Sequence, residues 1–138
     1  MTIRMRESYR VIVADRYLST RFIDDVVEVL WGNHVVIETD YALRLLEGDR
    51  TPVTYVPINE ITGATLQVSD TAYNCRWKGA ARYYDVHLSN GEVVLDGAWA
   101  YPEAPDELAL LRKQIAFDTE QFSEIFTSKR GGVNEQIG

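Results

Sequence analysis

Short turn dipeptides set between runs of β-branched and aromatic residues constrain this chain more than any other feature. Val26-Val27-Glu28-Val29-Leu30-Trp31 and His34-Val35-Val36-Ile37-Glu38-Thr39 flank Gly32-Asn33. A glycine at the first central position of a two-residue connection fits a type II′ turn, whose twist matches paired strands. Ala42 to Glu47 fits a short helix capped by Asp40 and ending at Gly48. The preferred reading is a second hairpin that returns from Val53 to Val56 and stops at Pro57, which lacks the N–H to continue a ladder. From Ala81 to Leu88 the residues alternate, with Arg82, Tyr84, Val86 and Leu88 on one face and Ala81, Tyr83, Asp85 and His87 on the other. Asn90-Gly91 then turns the chain into Val93-Val94-Leu95. Asp96-Gly97 reads as a further turn before Ala98-Trp99-Ala100-Tyr101.

Between these hairpins, 57–72 lacks a period and reads as a long connection with one helical turn after Pro57. Near the C-terminus a helix is expected, with Asp106 as N-cap and Leu108, Leu111 and Ile115 along one side. Phe122, Ile125 and Phe126 fit a short second helix from Glu120. The fold class is therefore mainly β: antiparallel hairpins in two packed sheets, with one or two short C-terminal helices. The expected division is an N-terminal extension over 1–25, a single β-rich domain over 26–127 and a flexible tail over 128–138. A chain of 138 residues is long enough to bury a core as one domain.

Charge and cysteine content exclude several function classes. A net charge of −7 opposes non-specific binding to nucleic-acid phosphates. The single Cys75 permits no internal disulfide and no four-ligand zinc framework, which fits a cytoplasmic location. No apolar stretch is long enough for a signal peptide or a membrane span. No cofactor or metal is expected, since His34 and His87 stand apart without close second ligands.

Asn74-Cys75-Arg76-Trp77-Lys78-Gly79-Ala80-Ala81-Arg82-Tyr83-Tyr84-Asp85, followed by Ala98-Trp99-Ala100-Tyr101-Pro102 and Ile115-Ala116-Phe117, resembles the bacterial family catalogued as domain of unknown function 427. The resemblance covers about 26–117, roughly two thirds of the chain. It implies a compact antiparallel fold similar to the β-tent arrangement and implies no mechanism. Arg76 departs from the proline or acidic residue of many members. A nucleotidyltransferase label attached to the family finds no Gly-Ser with an Asp-x-Asp metal pair in this chain.

The candidate ligand-binding residues are Trp77, Lys78, Tyr83, Trp99 and Tyr101. Lysine offers a point charge, the adjoining Gly79 permits close backbone approach, and the rings can wall a pocket for a flat group. The same residues also read as core, with Lys78 snorkelling over a ring. Cys75 is a second chemical candidate, with Arg76 and Lys78 nearby to lower its pKa, but neither histidine has a spacing that brings it in as a base. The expected partner is a small molecule. The alternatives are a small-metabolite enzyme using Lys78 or Cys75, and a structural homodimer joined through an exposed hairpin edge.

Overall fold

The structure is a computed structural model and describes residues 8–13 and 16–129. The strands are β1 (Ser8–Val13), β2 (Arg16–Phe22), β3 (Asp25–Trp31), β4 (His34–Thr39), β5 (Leu43–Glu47), β6 (Val53–Pro57), β7 (Ala64–Cys75), β8 (Gly79–Leu88), β9 (Val93–Ala100), β10 (Gln114–Phe117) and β11 (Ser123–Ser128). Every pairing is antiparallel. An eight-stranded sheet runs in the order β1-β2-β5-β6-β10-β9-β8-β7, and a three-stranded sheet in the order β11-β3-β4. The expected mainly antiparallel, two-sheet architecture is what the chain adopts, and no described helix is long and apolar enough to cross a membrane.

Period-two alternation sorts the large sheet's side chains into two cores. Val56, Val86, Ala98, Ala100, Ile115 and Phe117 face the small sheet, where they meet Val27, Val29, Val36 and Ile37. Their neighbours Leu43, Leu45, Tyr55, Ala81 and Ala116 face the other way, where Leu108 and Leu111 of a 3-10 segment, Asp106–Lys113, cover them. The glycine at position 63 joins the layers. Thr62 and Gly63 both donate to the carbonyl of Val36, and a Cβ on Gly63 would lie 1.9 Å from the Val35 carbonyl oxygen. Only a residue without a side chain allows that approach.

Several sequence expectations need correction. The stretch set apart as an extension contains β2, which pairs with β5 from Leu18 to Phe22 and buries Leu18 completely. Its apolar residues are too few to announce a strand by periodicity. Residues 1–7 and 14–15 of that extension and 130–138 of the tail lie outside the described residues. The long connection forms the expected helical turn at Ile58–Glu60, but then becomes the twelve-residue β7. This strand closes the large sheet and leaves most of its side chains in solvent, so no alternating apolar signal marks it.

Asp96-Gly97 is not a turn. It is an irregularity within a continuous β9, with Asp96 at φ 49° and its N–H donating to Asp85 Oδ1 at 2.8 Å. The C-terminal helix is a 3-10 segment whose N-cap is Pro105, and Asp106 instead accepts from Arg112 Nη2 at 2.7 Å. It ends at Lys113, so Ile115 belongs to β10. The second helix does not form. Phe122, Ile125 and Phe126 mimic helical spacing, yet 123–128 pairs residue by residue with β3.

Candidate functional site

Strand β7 ends at Cys75, and a tight connection through Arg76, Trp77 and Lys78 returns the chain as β8, with Cys75 opposite Gly79. Gly79 takes a φ of 92°, and a Cβ there would sit 3.3 Å from the Glu103 carbonyl oxygen. Its role is thus to make this turn and seat the Pro102-Glu103 segment, rather than to admit a ligand.

Lys78 is 7% exposed, and its Nζ donates to Glu47 Oε1 at 2.7 Å while lying 5.4 Å from the centre of the Tyr101 ring. Glu47 is itself 8% exposed. A buried lysine requires such a partner, because an uncompensated charge in a low-dielectric interior is costly. Glu47 supplies the charge and the Tyr101 face adds a cation–π contact.

Four of the five residues singled out in sequence, Lys78, Tyr83, Trp99 and Tyr101, line one concavity of about 270 Å³. Tyr83 and Trp99 stand opposite each other across β8 and β9, with ring centres 6.2 Å apart. The Trp99 indole N–H donates to the Tyr55 hydroxyl at 3.4 Å. Burial pushes the hydroxyls of Tyr55, Tyr101 and Tyr83 above the ordinary tyrosine pKa, so all three stay protonated at neutral pH. Trp77 does not line the concavity. It packs half-buried against the Tyr55–Leu108 core beneath the Arg76 guanidinium, which lies 5.2 Å from its ring centre.

Glu47, Tyr55, Tyr73 and Arg50 also line the concavity, and sequence reasoning missed them. A signal for Glu47 was present, since it continues the inward series Leu43, Leu45 on β5. An acid on a core face calls for a buried cation.

Cys75 is buried in the same core, 6% exposed. Nothing activates it through a histidine: His34 Nε2 is 2.7 Å from the Gly63 carbonyl oxygen and 3.0 Å from Ser89 Oγ, and His87 lies on β8 opposite Thr65 and Val93. Among the described residues no group of three or more His, Cys, Asp or Glu is arranged to hold a metal ion.

The chain matches the family described as Domain of unknown function (DUF427) over residues 20–128 and belongs to it. No curated protein matches the chain.

Proposed function

We propose that the domain is a recognition module for a small, planar, carbonyl-bearing ligand held in the concavity at the Glu47 end of β5. The observation that carries this reading is a buried lysine lining an aromatic-walled concavity. An ammonium has three N–H donors. One goes to Glu47 and the Tyr101 face takes up a second direction, which leaves a donor for a ligand acceptor. Because Glu47 balances the Lys78 charge, the spare ammonium donor suits a neutral acceptor such as a carbonyl, with the exposed Arg50 at the rim. The volume of about 270 Å³ lies just below the usual range of small-molecule sites, which restricts the occupant to about one ring.

An NMR titration with uracil and nicotinamide tests this reading. The expected result is that shifts cluster at the Trp99 indole and along 78–83. The paired variant Lys78→Met with Glu47→Leu, which removes both charges together, should weaken binding about tenfold by deleting the hydrogen bond. Absence of perturbation at millimolar probe, with the protein folded, would sink the proposal.

A further inference from the structure

A larger concavity, about 910 Å³, opens beyond the other end of β5, where Phe22 in its lining pairs with Leu43. The β6–β10 ladder consists of Gln114 opposite Pro57 and Ile115 opposite Val56. Pro57 has no N–H to extend it, so the two chains part there. One becomes the turn Ile58–Glu60 and the other arrives from the 3-10 segment Asp106–Lys113. The space between the diverging chains is the concavity. One wall is aromatic and apolar: the rings of Phe22 and Tyr41, 5.9 Å apart and tilted by 54°, with Pro57, Ile58 and Leu110. The volume falls within the usual range for small-molecule sites, roughly 300–1,000 Å³.

The facing wall carries Arg112, Lys113 and Gln114. Arg112 is committed to the protein, since its Nε donates to the Ala104 carbonyl at 2.7 Å and its Nη2 to Asp106. Lys113 is exposed and makes no ion pair among the described residues. Glu60, also in the lining, already accepts from the Thr39 hydroxyl at 2.6 Å. Gln114 Oε1 is buried without a hydrogen-bond partner among the described residues. The uncommitted Lys113 ammonium on the wall opposite Glu60, an aromatic wall and an unmatched acceptor together define a complementary ligand.

We propose that this cleft binds a planar aromatic carboxylate that also carries an N–H donor, with its ring against Phe22, Tyr41 and Pro57, its carboxylate toward Lys113 and its N–H toward the Gln114 amide. On binding, the half-buried Gln114 side chain turns its amide oxygen, which is buried in the free protein, toward the ligand. The assignment is independent of the concavity at the Glu47 end.

Indole-3-carboxylate is the probe, and its affinity and contact map come from NMR titration of the full chain. Shifts should fall on Phe22, Tyr41 and Gln114 and be unchanged in the Lys78→Met, Glu47→Leu variant. Replacing the probe's N–H by N-methyl should weaken binding about tenfold, the value of one hydrogen bond to a buried acceptor. Lys113→Glu should weaken the carboxylate about fivefold yet leave indole itself unaffected. Lys113 is exposed, so this variant keeps the fold, and Lys113→Gln gives an intermediate loss. The proposal is overturned by no saturable binding, by shifts mapping to Trp99 and Tyr83 instead, or by equal affinities for the methylated and unmethylated probes.

Discussion

The two ends of β5 build concavities by opposite means. At the Glu47 end the polar groups answer one another: Lys78 meets Glu47, Trp99 meets Tyr55, and the ammonium lies over Tyr101. At the Leu43 end the space is more than three times larger, about 910 Å³ against 270 Å³, and the Gln114 oxygen in its wall is buried without a partner. A closed set of partners stabilises the empty protein and leaves recognition to shape and spare donors. An open set costs the empty protein stability and leaves affinity for whatever completes it. Polar groups gathered around the two ends of one strand can therefore serve folding at one end and binding at the other.

Breaking the ion pair gives the largest test of that contrast. Lys78→Met alone removes the ammonium from a buried carboxylate, and by the usual cost of breaking a buried pair it should lose about 3–5 kcal/mol in urea unfolding. Adding Glu47→Leu removes the second charge as well and should restore most of that loss, since apolar replacement of a whole buried pair is commonly near neutral. A double variant no more stable than the single one would show that the pair is not a closed unit.

How far these regions were legible in sequence depends on the range of the contacts that make them. The hairpins β3–β4, β5–β6 and β8–β9 are local, and turn chemistry with alternation placed them. Trp99 and Tyr101 are two residues apart and Tyr83 pairs across to Trp99, so local rules also grouped those side chains. Glu47 was not legible as the partner of Lys78, because the two come together only through the strand order β5-β6-β10-β9-β8. The larger cleft was hidden for a similar reason. It needs the 3-10 segment, read as a regular helix running through Ile115, to stop at Lys113 and release Gln114 into β10. Strand β11 was lost to a spacing of Phe122, Ile125 and Phe126 that serves a helix as well as a strand, and only the β3 ladder decides between them.

Alkaline titration sharpens the same contrast at intermediate size. Burial raises the pKa of the Tyr55 and Tyr101 hydroxyls in the folded state, whereas in the unfolded chain they ionise near their ordinary value of about 10. Above that pH the folded state binds more protons than the unfolded state, so stability is fully present below about pH 10 and falls as pH rises. Tyr55 alone contributes a slope of up to about 1.4 kcal/mol per pH unit, and Tyr101 acts in the same direction. Urea unfolding between pH 9 and 11 measures the slope (a range set about the ordinary tyrosine value). Tyr55→Phe should make it shallower, and an unchanged slope would place the ionising groups elsewhere.

The smallest expected effect carries the opposite sign. Gln114→Leu removes the partnerless oxygen and keeps a side chain of similar reach beside Pro57 and Leu110, so the free protein should gain about 1 kcal/mol, as deletion of an unmatched buried acceptor allows. The same substitution should lower affinity for indole-3-carboxylate, because its N–H loses its acceptor. Stability gained together with binding lost is the signature of a group kept for a ligand. If Gln114→Leu instead destabilises the protein, the amide serves the fold, and the two ends of β5 are alike after all.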